Sequence, residues 1–215
     1  MFSCLAKDPA APALLTVRQL TGGHSSKPFW DGLDFSLPAG LIALTGDEGS
    51  GKTLMLRLLA TDLEPFAGHM NLPGAGWPEQ RQAYASEVFW ADLRLPACDA
   101  STPVECWRSL GQARPRWDEA LEQALAEALN LQEHLHKRLD MLSTGTRRKT
   151  GLVAALASGA TLTLLDQPFA ALDMASIRVL KDFLHDMADH SSRAWVVADH
   201  EAAPDLPWQC RIDLG

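Results

Sequence analysis

The chemistry most specific to this chain lies in Gly46-Asp47-Glu48-Gly49-Ser50-Gly51-Lys52-Thr53. The segment matches GxxxxGK[ST] and sits between an apolar run and a helical pattern, the context in which this motif cradles nucleotide phosphates. Glycines let the backbone curl so that successive N–H groups face one anion. A helix starting near Lys52 adds the positive end of its dipole. The Lys52 ammonium suits the β- and γ-phosphates, and the Thr53 hydroxyl suits Mg²⁺. Such a site needs a second acid for the ion. Asp166 supplies one, at the end of Leu162-Thr163-Leu164-Leu165. An acid at the end of a buried strand lies where open α/β sheets bind ligands.

The flanking pattern predicts the elements that must hold these groups. Leu14 to Leu20 reads as a strand, and Leu33, Phe35 and Leu37 alternate with polar residues as in a half-buried strand. Leu41-Ile42-Ala43-Leu44 reads as a strand buried on both faces. In the next helix Leu54 and Leu58, with Met55 and Leu59, recur four apart. From Gly74 to Pro115 the periodicity is weak. Glu119 to His136 is expected to be helical, with Leu121, Ala124, Leu125 and Leu129 in its apolar stripe. Leu162 to Leu165 is expected as a strand, Ile177 to Met187 as an amphipathic helix and Ala194 to Ala198 as a strand. The expected fold class is α/β, one domain over residues 1–215, interrupted at roughly residues 93–150 by a mostly helical insertion.

Composition narrows the function. The 215 residues carry 19 Lys and Arg against 27 Asp and Glu, a net charge of −8. That balance disfavours a nucleic-acid partner and offers no polybasic anchor for a membrane surface. Cys4, Cys98, Cys106 and Cys210 form no CxxC pair, so free thiols in a reducing cytoplasm are expected. The N-terminus lacks the pattern of a signal peptide. The longest apolar-leaning stretch, Leu152 to Leu165, is too short and too polar to cross a bilayer. A membrane role would come through a partner.

Together these residues resemble the ATP-binding cassette (ABC) ATPase family. Leu142-Ser143-Thr144-Gly145-Thr146 is similar to its LSGGQ signature and precedes Asp166 in the family's order. Ala171-Leu172-Asp173 resembles the D-loop, and His200, after the following strand, resembles the switch histidine. The resemblance runs from Leu14 to a last strand near Ile212. It implies a P-loop NTPase core with a mixed sheet, flanking helices and an inserted helical subdomain. It also implies ATP and Mg²⁺ as ligands and closure of two cassettes head to tail, as a homodimer or a heterodimer. Gly46 to Thr53 of one subunit and Ser143 and Gly145 of the other would hold each ATP, with Asp173 at the seam and His200 on the γ-phosphate. Transmembrane permease subunits are the implied partners, which would place the chain in the cytoplasm, on the inner face of the membrane. The compact length and the Phe29-Trp30-Asp31-Gly32-Leu33 and Pro168-Phe169 stretches look like the small haem-exporter ATPases of cytochrome c maturation. An ABC ATPase acting on DNA or ribosomes would usually show two cassettes or long coiled-coil insertions, and neither is visible.

Four positions depart from the family. Gln167 stands where a glutamate usually polarises the attacking water; an amide holds water but accepts no proton. Binding and closure need no such base, so ATP is expected to be held better than cleaved. A slow ATPase, a degenerate cassette paired with a competent one and an engineered trap all fit this substitution, so a non-hydrolysing regulatory module stands as the alternative function. Asp92 occupies the place expected for the glutamine loop and its Mg²⁺ contact, with Glu87 a poorer candidate and a surface acid the plain reading of Asp92. The signature has Thr144 and Thr146 where Gly and Gln are usual. No adenine-stacking aromatic is obvious; His24 is nearest in spacing, with Phe29 and Trp30 as alternatives and a core role favoured for Trp30.

Overall fold

The apolar runs build two sheets. The computed structural model describes residues 3–8, 10–24, 27–90 and 99–215, with the side chains of Ser3, Cys4 and His24 outside the description. The described residues fall into two compact units. The first comprises Met1–Trp90, Ala160–Gln167 and Leu184–Gly215, and the second Ala91–Gly159 and Pro168–Phe183.

In the first unit, β1 (Ser3–Ala6), β4 (Gly40–Thr45), β7 (Val88–Phe89), β8 (Leu162–Asp166), β9 (Ala194–Ala198) and β10 (Cys210–Asp213) form a six-stranded sheet. Its order is β1-β10-β4-β9-β8-β7. All its pairings are parallel except that of edge strand β1 with β10. The interior strands β4 and β9 carry near-continuous apolar sequence because both of their faces are buried. A second, antiparallel sheet contains β2 (Ala13–His24), β3 (Lys27–Pro38), β5 (Ala67–Leu72) and β6 (Ala75–Trp77), in the order β3-β2-β5-β6. One face of each sheet and helix α1 (Lys52–Leu59) share a core that includes Leu15, Val17, Leu37, Ile42, Met55, Leu58, Leu164 and Val196. Helix α2 (Arg81–Glu87) buries Tyr84, whose hydroxyl donates to the Leu59 carbonyl at 3.0 Å.

The second unit holds α3 (Pro103–Gln112), α4 (Glu119–Ala128) and α5 (Thr144–Ala157), and α6 (Met174–Asp186) starts in it. Helix α3 opens on a capping box. The Thr102 hydroxyl accepts from the Glu105 N–H, Glu105 accepts from the Thr102 N–H, and Pro103 sits in the first turn. The helix expected over Glu119 to His136 is shorter: α4 stops at Ala128. Asn130 takes a left-handed φ of 56°, the Asn130 N–H reaches Glu127 O and the Leu131 N–H reaches Ala126 O, both at 2.9 Å. These bonds make a Schellman stop. A separate 3₁₀ turn, Gln132–His134, follows. Within the stripe, Ala124 is exposed while Leu125, Ala126 and Leu129 are buried. Among the described residues, Cys106 is half-buried and Cys210 is buried in the first unit's core. No helix there is long and apolar enough to cross a membrane.

Candidate nucleotide site

Parallel strands bring the candidate residues of the first unit to one sheet edge. Strands β4, β9 and β8 lie side by side with Leu44, Ala198 and Asp166 in register. The glycine-rich loop follows β4, His200 follows β9 and Gln167 follows β8. Asp166 is thus two strand spacings, about 10 Å, from the end of β4. The first turn of α1 crosses that gap, and Thr53 Oγ1 donates to Asp166 Oδ2 at 2.7 Å. The hydroxyl and carboxylate oxygens predicted for the metal therefore meet directly, and they are the hard donors that Mg²⁺ takes.

The loop is shaped for an anion. Lys52 is 6% exposed, and its ammonium donates to Gly46 O at 2.6 Å and Asp47 O at 2.7 Å. Gly51 caps α1 with a left-handed φ of 93°. A Cβ there would stand 2.6 Å from Phe29 Cε1 and 2.9 Å from Trp30 Cζ2, so two demands require glycine. Gly49, at φ 79°, faces open space. Ser50 Oγ is buried with no hydrogen-bond partner, a vacant donor inside the curl. Asp47 and Glu48 are exposed. An unused donor, an open backbone and a lysine resting on exchangeable carbonyls fit a phosphate chain.

Around this cradle, Gln167 holds a left-handed φ of 45°, and its N–H donates to Ala198 O at 2.8 Å. Such a backbone costs a non-glycine residue about 1–3 kcal/mol. It turns the chain sharply at the strand end, directly after Asp166. His200 is exposed, anchored by its N–H to Asp199 Oδ1 at 2.8 Å. Phe29 is 52% exposed and meets Trp30 edge-on at 5.0 Å between ring centroids. Trp30 is partly buried against the core. Among the described residues, Phe29, an alternative by spacing, is an aromatic ring that reaches the loop while remaining exposed. The His24 side chain and all of Asp92 lie outside the described residues. Glu87 is at the wrong edge for a metal contact: it accepts from the Thr161 hydroxyl at the start of β8, the opposite end of that strand from Asp166.

The second unit carries the other predicted residues. Ser143 caps α5; its Oγ accepts from the Thr146 N–H at 3.1 Å and lies 2.8 Å from Thr146 Oγ1. Thr146, the departure from the usual glutamine, thus orients the serine hydroxyl. A Cβ on Gly145 would come within 2.6 Å of Ala171 O, so the signature helix and the turn before α6 pack backbone to backbone. Asp173 caps α6 by accepting from the Ser176 N–H at 2.8 Å. Its other oxygen takes Lys149 Nζ at 2.7 Å and Ser176 Oγ at 3.1 Å. The Lys149 hydrogen bond, followed by those from Ser176, holds this carboxyl well below the usual carboxylate range. The basic run Arg147-Arg148-Lys149 follows Thr146 on α5. Arg147 pairs with Asp99 at 2.7 Å, and the Lys149 side chain is only 13% exposed.

Known proteins are similar to this chain. The "Cytochrome c biogenesis ATP-binding export protein CcmA" of Rhodospirillum rubrum is 36% identical over 182 residues, 82% of this chain and 76% of the relative. The protein of the same name from Pseudomonas fluorescens is 32% identical over 210 residues, 95% of this chain and 97% of the relative. A solved ATP-binding subunit of an ABC transporter superposes with a TM-score of 0.71 at 20% identity, covering 86% of this chain and 79% of that one. Residues 30–170, which run from Trp30 through the cradle and the signature to the segment after Asp166, match the family described as ABC transporter. With its mixed sheet, its phosphate-shaped loop and these relatives, the chain belongs to the ABC transporter family and is one of its ATPase cassettes.

Proposed function

We propose that this cassette is the ATP-hydrolysing subunit of an exporter serving cytochrome c biogenesis. It works from the cytoplasmic face of the membrane on separate transmembrane permease subunits. The names of its relatives support the transport role. The observation that carries the nucleotide chemistry is the Thr53–Asp166 hydrogen bond beside the buried Lys52. Those two oxygen donors would hold Mg²⁺, which neutralises charge on the β- and γ-phosphates when bound. Gly46, Asp47, Glu48, Gly49, Ser50 and Gly51 would wrap the phosphates with backbone N–H groups. Phe29 offers the base a face beside the loop, with His24 its rival. Two copies, or this chain and a second cassette, would close head to tail, with Ser143, Gly145 and Asp173 of one facing the nucleotide of the other. His200 would sense the γ-phosphate. Gln167 would position water without accepting its proton, which makes turnover slow.

Gln167 also favours a second reading, a non-hydrolysing cassette that completes a transporter assembly. Single-turnover hydrolysis measured with the copurified membrane subunits separates the two. Turnover that Lys52→Ala abolishes supports the exporter ATPase, and bound ATP with no turnover in any partner context supports the regulatory module. The cradle itself is tested by MgATP titration. Charged hydrogen bonds are worth about 1.5–3 kcal/mol each, so Lys52→Ala is expected to weaken binding at least roughly a hundredfold. Undiminished affinity in that variant, or no affinity at millimolar MgATP in the wild type, overturns the assignment.

A further inference from the structure

The Lys149 ammonium stands at a junction of three elements of the second unit. It projects from α5 and donates to Asp173 Oδ2 at 2.7 Å, just before α6 begins, and to Leu129 O at 3.2 Å, where α4 ends. A cation at a helix C-terminus and a carboxylate at a helix N-terminus each oppose the local dipole charge, so both contacts are favourable. Lys149 is largely buried while its partner remains open to solvent, with side-chain exposures of 13% and 57%. Beside this bond the turn before α6 is tense. Ala171 holds a left-handed φ of 59°, and its carbonyl lies hard against Gly145. A turn of that kind persists only where its surroundings over-determine it. Asp173 does so from one end, held by Lys149 from α5 and by the Ser176 N–H and hydroxyl from α6.

We infer that Lys149 is a positioning residue that fastens the Ala171–Asp173 turn to the signature helix, so that Ser143, Gly145 and Asp173 meet a second cassette as one rigid surface. This rests on the proposed head-to-tail closure and names what holds half of that surface in shape. Lys149 lies on α5 of the second unit and bonds to Leu129 O and Asp173, whereas the glycine-rich loop and the Thr53–Asp166 pair belong to the first unit. Its effect falls on closure and not on the grip of the subunit's own glycine-rich loop.

The experiment uses the full chain with MgATP, reading dimer formation by light scattering and nucleotide affinity by titration at protein concentrations where it is monomeric. Lys149→Met is expected to move the midpoint of ATP-driven dimerisation at least tenfold higher in protein concentration and to leave monomer affinity for MgATP within twofold. Lys149→Arg, which keeps the charge, is expected to restore most of the loss. Asp173→Asn keeps a capping oxygen for Ser176 but loses the ion pair. Combined with Lys149→Met it is expected to cost clearly less than the sum of the two single losses, as for two residues joined by one bond. Asp173→Asn alone, which breaks the same bond from its other end and is expected to raise the dimerisation midpoint in the same way, serves if Lys149→Met folds poorly. Additive effects, or a Lys149→Met chain that dimerises like the wild type, overturn the inference alone. A wild-type chain that forms no ATP-dependent dimer, with itself or a second cassette, overturns the closure and the inference together.

Discussion

Replacing Gln167 with glutamate tests the proposed chemistry most directly, because the structure confines the change to the side-chain end. The residue sits at φ 45°, and its N–H is tied to Ala198 O. Glutamate meets the same backbone demand as glutamine and is nearly isosteric with it, so the turn after Asp166 is expected to stand. The change adds a carboxylate next to Asp166. At a separation of about 6 Å the repulsion is about 3 kcal/mol at an effective dielectric of about 20 and about 0.7 kcal/mol in water. It acts in two ways. It raises the pKa of the new carboxyl, which improves it as a base, and it weakens the hold on an anionic nucleotide, which raises KM. A positioned general base contributes roughly 10² to 10⁴ in rate. The expected outcome is a kcat at least roughly tenfold higher with a higher KM, read as phosphate release at saturating MgATP with the membrane partner present. A variant that binds ATP and closes but turns over no faster refutes the reasoning. The limiting defect would then lie at Asp92 or in the signature, where Thr144 adds a branched side chain.

Ser50→Ala is expected to leave thermal stability unchanged or slightly raised, because the buried hydroxyl has no partner to lose. It should weaken MgATP binding about tenfold or more, the worth of one hydrogen bond to a charged acceptor; a titration and a melting curve together check the opposite signs. Tyr84→Phe is expected to cost about 1–3 kcal/mol in denaturant unfolding, since the buried Leu59 carbonyl loses its donor. Burial raises the Tyr84 phenol above its ordinary value. Its contribution is therefore complete below pH about 10 and fades as pH climbs towards the folded value. The wild type should lose stability across that alkaline range more steeply than Tyr84→Phe, and equal slopes would contradict this.

Much of the nucleotide half was legible because it depends on residue types that few other structures demand. Gly49 and Gly51 adopt backbones that L side chains resist, and β4, β8 and β9 advertise burial by unbroken apolar sequence. Other features carried a signal that was there to read. Thr102-Pro103-Val104-Glu105 is a helix start, and Asn130 is a helix stop. Strand β1 is different. Ser3–Ala6 has no alternation of its own and acquires its register from β10. The left-handed backbone at Gln167 and the Lys149–Asp173 bond arise from tertiary placement, across a separation of 24 residues for the pair. Local pattern could identify Asp173 by its motif but not the cation that holds it.

The lysine of the cradle rests on two carbonyls of its own loop. Both acceptors, Gly46 and Asp47, lie at the start of the loop that the helix carrying Lys52 closes. Those two bonds also tie the ammonium to the curl that carries it, so the charge and the backbone shape come as one unit. Cutting the side chain back at position 52 would strand both carbonyls as well as remove a cation, so that one truncation unbalances the loop's own architecture.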